Sequence, residues 1–81
     1  MGAWMELDTR GYPCPEPVAM TKVKLRHMNY GDSIVVINDT PSCIRDLQRL
    51  CTFLDHTLIA VEYNGPIARV TIRKGLEGED Y

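Results

Sequence analysis

The sequence has little aromatic content, little net charge and no long hydrophobic run. Aromatic residues make up 7% of the 81 residues and the formal net charge is −2. The chain therefore has neither the basic field nor the stacking side chains that recruit nucleic acid, which disfavours direct nucleic-acid binding. Its apolar runs, such as Ile34 to Ile37, are far shorter than the ~20 residues that cross a bilayer, so we expect no membrane contact.

Cysteine is also scarce, with three residues in the chain. An odd, small number argues against the disulfide framework of a secreted mini-protein and favours reduced thiols. The N-terminal residues show no basic segment followed by an apolar stretch, so we predict no signal peptide. These features together predict a cytoplasmic protein.

What is present is the composition of one small globular domain. Hydrophobic residues make up 44% and charged residues 25%, and 81 residues are too few for two domains of the usual size. We expect a single domain spanning residues 1–81, with an ordered core at about 5–75. The acidic, glycine-containing segment 76–81 is expected to form a flexible tail.

The residue pattern predicts the element order β-α-β-α-β-β. Strands are expected at residues 4–8, 33–38, 57–63 and 67–73. Apolar residues follow helical spacing from residue 18 to about 28, and a second helix is expected from about residue 40 onward, with Thr40 as cap and Pro41 in its first turn. Asn64-Gly65 predicts a type I′ hairpin turn between the last two strands. The apolar stripes of the two helices comprise Val18, Thr21, Leu25 and Met28, and Ile44, Leu47, Leu50, Cys51 and Leu54.

This order predicts where chemistry should lie. The first β-α-β unit should join parallel strands, so both helices begin at the same edge of the sheet. Each predicted helix start carries a cysteine, Cys14 or Cys43. The third thiol, Cys51, lies on an apolar stripe and is expected in the core.

The segment from Pro13 to Pro17 holds three of the five prolines. Prolines are tolerated in the first turn of a helix, and the residue before proline is held in the extended conformation of an N-cap. We therefore expect Cys14 at the N-cap, followed by Pro15, Glu16 and Pro17. The helix dipole there would lower the thiol pKa, whereas the Glu16 carboxylate would oppose that shift. The plain alternative is a small buried cap in a proline-rich turn.

The motif Leu7-Asp8-x-x-Gly11-x-x-Cys14-Pro15-x-Pro17 resembles the opening of the TusA/SirA family of sulfur carriers. The similarity continues to residue 75 through Asp39-Thr40-Pro41, Asp46, Cys51-Thr52-Phe53 and Ile72-Arg73-Lys74-Gly75. The resemblance implies an α/β two-layer sandwich, with two helices packed on a four-stranded mixed sheet. The motif residues Gly11, Pro13, Pro15, Glu16 and Pro17 would support Cys14.

The resemblance further implies that Cys14 carries a persulfide. A cysteine desulfurase or another persulfide donor would supply the sulfur, and a downstream acceptor protein would receive it. Such relays serve tRNA thiolation, cofactor assembly or sulfur metabolism. The chain would then act as a carrier rather than a stand-alone enzyme, and it would need no cofactor.

Several readings stay open beside this one. Cys43 is not part of the family pattern and is either a small structural residue, a resolving thiol or a second carrier. The chain could be a non-catalytic module that binds protein or RNA, or a thiol redox protein using Cys14 and Cys43. Paired metal-ligand spacings are absent, so no metal is expected, and His27 and His56 are isolated. The helical cations form either a solvated face or a docking surface for an acidic partner: Lys22, Arg26, Arg45 and Arg49, with Lys24 beside them.

Overall fold

A computed structural model describes residues 4–40 and 42–75 of the chain. Its elements run β1 (Trp4–Asp8), α1 (Glu16–Arg26), β2 (Ser33–Asn38), α2 (Ser42–Leu54), β3 (Thr57–Asn64) and β4 (Ile67–Arg73). This confirms the predicted order β-α-β-α-β-β. The predicted tail at residues 76–81 lies outside the described residues. Within the described part, no helix is long and apolar enough to cross a membrane.

The four strands form one mixed sheet in the order β1-β2-β4-β3. Strands β1 and β2 are parallel, whereas β4 runs antiparallel to both β2 and β3. The β-branched run of β2 is explained by its position, because it is an inner strand with neighbours on both sides. Since β1 and β2 are parallel, the helices that follow them begin at the same edge of the sheet, as the sequence predicts.

The core lies between the two helices and one face of the sheet. Strand β4 alternates buried and more exposed positions, as a strand with one covered face should. Both helices present the predicted stripes, of which Val18 and Leu50 are half-buried and the remaining members are buried. The central cluster comprises Leu25, Met28, Ile34, Val36, Ile44, Leu47, Cys51, Ala68, Val70 and Ile72.

The hairpin between β3 and β4 exists, but its predicted turn type is wrong. Asn64 still pairs with Ile67, so the two loop residues are Gly65 and Pro66. Gly65 has a φ of 62°, and Asn64 is not among the residues with positive φ. A positive φ at the first loop position alone is the pattern of a type II′ turn, and proline fits the second position because its φ is fixed near −65°.

The two residues after β4, Lys74 and Gly75, are joined to the α1 terminus and to the α2–β3 connection. The buried Lys74 side chain donates a hydrogen bond from Nζ to the carbonyl oxygen of Leu25, near the C-terminus of α1. Gly75 donates its backbone N–H to Nδ1 of His56 at 3.0 Å. A Cβ at Gly75 would lie 1.8 Å from the backbone oxygen of Asp55, so only glycine fits there.

Candidate functional site

The loop between β1 and α1 is fastened to the end of β2. Thr9 is fully buried and donates both its backbone N–H, at 2.8 Å, and its hydroxyl, at 2.6 Å, to the carbonyl oxygen of Ile37. Gly11 donates its N–H to Asp39 Oδ2 at 3.1 Å. These bonds tie the loop that carries Cys14 to the strand that leads into α2.

Helix α1 begins one residue later than the cap assignment predicted. The backbone N–H groups of Val18 and Ala19 both reach the carbonyl oxygen of Pro15, at 3.1 and 3.2 Å, so Pro15 occupies the N-cap. Cys14 is therefore the residue before the cap, joined to Pro15 by a cis peptide bond. No side chain caps the helix. The prediction of Cys14 at the N-cap is wrong because the proline carbonyl, rather than the cysteine carbonyl, is the first acceptor of the helix.

Cys14 and Cys43 are joined by a disulfide, with their Cα atoms 5.7 Å apart. Cys43 lies in the first turn of α2 and is fully buried, whereas Cys14 is half-buried. The juxtaposition of the two helix starts, expected from the parallel strands, is thus close enough for a covalent bond. Of these two cysteines, Cys14 is the one with solvent-exposed surface.

Asp46 lies beside the sulfur of Cys14. Its Oδ2 lies 3.4 Å from Cys14 Sγ, and both side chains are half-buried. When Cys14 is reduced, its S–H can donate to this carboxylate, whereas a thiolate would be repelled by it. Asp46 follows Cys43 by three residues, and this spacing places both on one face of α2. The sequence predicted Asp46 only as part of the family resemblance, and its contact with Cys14 was not predicted.

An apolar groove opens beside Asp46, between α1 and α2. Leu50 is half-buried in it, and Phe53 leaves 77% of its surface exposed. The groove combines one carboxylate and one guanidinium with apolar side chains, and its lining consists of Val18, Asp46, Arg49, Leu50, Thr52 and Phe53.

The four predicted docking cations are distributed over both helices. Arg49 lines the groove next to the site. Lys22 is half-buried and Arg26 is exposed on α1, and Arg45 is exposed on α2. Among the predicted docking cations, Arg49 is thus the one that the groove brings next to Asp46.

Comparison with known proteins identifies the family. The family model for the sulfurtransferase TusA matches residues 5–74. The chain belongs to the TusA family. The fold also resembles the crystal structure of a SirA-like protein from Desulfitobacterium hafniense, with 25% sequence identity and a TM-score of 0.77. That match covers 88% of this chain and 97% of the other one.

The residues of the predicted Cys14 motif occupy distinct structural positions. Pro13, Pro15 and Glu16 are exposed, whereas Pro17, in the first turn of α1, is buried. Glu16 donates its N–H to the carbonyl oxygen of Pro13 at 2.8 Å, which closes a turn around Cys14. Two prolines and this closed turn restrict the backbone on both sides of the sulfur.

The remaining thiol and the two histidines lie away from this chemistry. Cys51 is buried in the core, and burial raises the pKa of its thiol to about 11. His56 is buried against Gly75 and His27 is exposed. Within residues 4–40 and 42–75, no three His, Cys, Asp or Glu side chains cluster in a way that could hold a metal ion.

Proposed function

We propose that this TusA-family protein carries sulfur as a persulfide on Cys14. The observation that carries the proposal is the position of this sulfur: half-buried, on a proline-restricted turn at the sheet edge, beside an open groove. A carrier needs a sulfur that two different proteins can reach in turn, and a fixed backbone keeps it in one place for both. Cys14 meets both needs, whereas Cys43 and Cys51 are buried.

Loading is a thiol exchange that needs no further catalytic group on the carrier. The Cys14 thiolate attacks the outer sulfur of a donor persulfide, forming Cys14–S–SH and releasing the donor thiolate. Delivery repeats the step, with an acceptor nucleophile taking the outer sulfur and Cys14 leaving as thiolate. The Cys14–Cys43 disulfide must be reduced before loading, which suits the reducing cytoplasm.

The groove offers the surface on which donor and acceptor proteins would dock. Val18, Leu50 and Phe53 present apolar area next to Asp46, and Arg49 adds a cation. Exposed aromatic side chains and arginines are the residue types that dominate protein–protein contacts. We infer that a cysteine desulfurase or another persulfide donor docks here, followed by an acceptor in tRNA thiolation, cofactor assembly or sulfur metabolism.

Intact mass measurement after incubation with a cysteine desulfurase and cysteine tests the proposal. The carrier reading predicts a gain of about 32 Da, one sulfur atom, on the reduced protein. Recorded immediately after loading, the gain should be absent in Cys14→Ser and present in Cys51→Ser, the matched control because Cys51 is the buried thiol of the core. If Cys14→Ser still gains sulfur with an active donor, the proposal is wrong.

The disulfide favours a second candidate, a thiol redox protein that cycles between Cys14–Cys43 and two thiols. This candidate predicts disulfide exchange with a partner dithiol and no gain of sulfur from the desulfurase. The mass experiment on Cys43→Ser separates the two. This variant cannot form the Cys14–Cys43 disulfide, so a carrier gains about 32 Da whereas a redox protein without carrier activity gains no sulfur.

A further inference from the structure

We propose that Cys43 is a resolving thiol that discharges the Cys14 persulfide as hydrogen sulfide. The inference rests on the proposed function, since it concerns the fate of sulfur already loaded on Cys14. It gives the chain a second outcome besides delivery to an acceptor: reductive release of the sulfur as sulfide, with the carrier left as a disulfide.

The geometry provides the contact that this step needs. Cys14 and Cys43 come from different elements, 29 residues apart, and their Cα separation of 5.7 Å lies in the middle of the range for disulfides. In the loaded carrier, Cys14 Sγ is the inner sulfur of the persulfide. Cys43 can thus reach the inner sulfur in the same backbone arrangement that the disulfide occupies.

The step balances without an outside oxidant. The Cys43 thiolate attacks the inner sulfur of Cys14–S–SH, a Cys14–Cys43 bond forms, and the bond between the inner and outer sulfurs breaks. The outer sulfur takes the electron pair and leaves as hydrosulfide, HS⁻. The persulfide sulfur is reduced, and the two cysteine thiols are oxidised to the disulfide.

Burial makes Cys43 specific for this reaction. Cys43 is fully buried, so a donor, an acceptor or a small thiol in solution cannot reach it. Its partner is the sulfur of Cys14, a residue that is half-buried. Thiol exchange requires access to the attacked sulfur, so Cys43 acts on Cys14 and takes no sulfur directly from a donor.

The same asymmetry determines how the carrier is reset. An external thiolate can attack the disulfide at Cys14 and displaces Cys43 as the leaving thiolate. A second equivalent of the thiol then frees Cys14, so that two external thiols become one external disulfide and both cysteines are reduced. Mixed disulfides with small thiols should consequently form on Cys14 and not on Cys43.

The test follows sulfide release from persulfide-loaded protein. Wild type, Cys43→Ser, Cys43→Ala and Cys51→Ser are loaded with desulfurase and cysteine, desalted anaerobically into thiol-free buffer, and sampled over time. Released sulfide is trapped with monobromobimane, and intact mass is recorded in parallel. Thiol-free buffer matters because any added thiol would also release sulfide. Two replacements at Cys43 guard against loss of fold, which circular dichroism checks.

Wild type and Cys51→Ser are expected to release about one sulfide per loaded chain and to finish about 2 Da below the reduced mass. Both Cys43 variants should keep the additional 32 Da or so and release sulfide at least about tenfold more slowly. If wild type and the Cys43 variants retain the added sulfur equally, Cys43 is not a resolving thiol, and the carrier proposal still stands. Sulfur found on Cys43 of wild type would also overturn it, in favour of a two-thiol relay. If none of the variants gains sulfur, the carrier proposal itself is wrong.

Discussion

Replacing Asp46 with asparagine should make reduced Cys14 more reactive. The carboxylate Oδ2 lies 3.4 Å from the Cys14 sulfur. A thiolate at that distance from a carboxylate is repelled, whereas a thiol can donate a hydrogen bond to it. Asp46→Asn keeps the size and shape of the side chain and removes the charge, so the fraction of thiolate at neutral pH should rise.

The magnitude follows from the distance. Two unit charges 3.4 Å apart repel by about 1.2 kcal/mol in water and by about 5 kcal/mol at an effective dielectric constant of about 20. Both side chains are half-buried, so we take a repulsion of about 1.4 to 2.8 kcal/mol, equivalent to a ten- to hundredfold change in thiolate fraction. A more basic thiolate is also the better nucleophile, and this offsets about half of the change on a logarithmic scale. The net expectation is an alkylation rate about three- to tenfold higher.

The assay is alkylation of the reduced protein by iodoacetamide at neutral pH, followed by mass spectrometry and peptide mapping. Cys43 is fully buried, and burial raises the pKa of Cys51 to about 11, so the first modification should map to Cys14. Glu62→Gln is the charge-matched control, because Glu62 is exposed on β3, at the edge of the sheet opposite β1. An unchanged or lower rate in Asp46→Asn, with Glu62→Gln equal to wild type, would refute the electrostatic role of Asp46.

Three further predictions concern stability and charge. Gly75→Ala should lower the free energy of unfolding by at least about 2 kcal/mol in urea denaturation, because the new Cβ would collide with the Asp55 backbone oxygen. Burial raises the pKa of the Cys51 thiol from 9.0 to about 11, so the folded protein keeps this thiol neutral at a pH where the unfolded chain ionises it. The resulting stability is fully present below pH 9 and is lost as the pH rises towards 11. The difference in the free energy of unfolding between wild type and Cys51→Ala should therefore narrow by about 2 kcal/mol between pH 9 and pH 11. The Arg10 guanidinium beside Asp8 holds the pKa of that carboxyl at about 2. In the Arg10→Met variant, this pKa should rise towards 3.8, as measured by NMR titration.

Local chemistry predicted the strands well because each strand has a distinct pattern. The β-branched run predicted the observed bounds of β2, and the parallel pairing of β1 with β2 followed from the β-α-β order. These features depend on residue type and spacing along one segment, which is the information that a single sequence contains.

The features that the sequence did not predict correctly depend on contacts between segments or on exact backbone angles. The start of α1 depended on whether the Cys14 or the Pro15 carbonyl accepts the first helical bond, and both suit a proline-rich turn. The turn type depended on whether Asn64 pairs with Ile67 as the last residue of β3 or is itself a residue of the loop. The approach of Cys14 to Cys43 and Asp46 is set by how two helices pack on the sheet, and it could not be calculated from spacing alone.

The most direct test of sulfur transfer to Cys14 is to locate sulfur on the loaded protein. Cys43→Ser should be loaded with a cysteine desulfurase and cysteine, capped with iodoacetamide and fragmented by tandem mass spectrometry. We expect about 32 Da of additional mass on the fragment that contains Cys14. Loading that leaves Cys14 unmodified, or that persists in a Cys14→Ser variant, would contradict it.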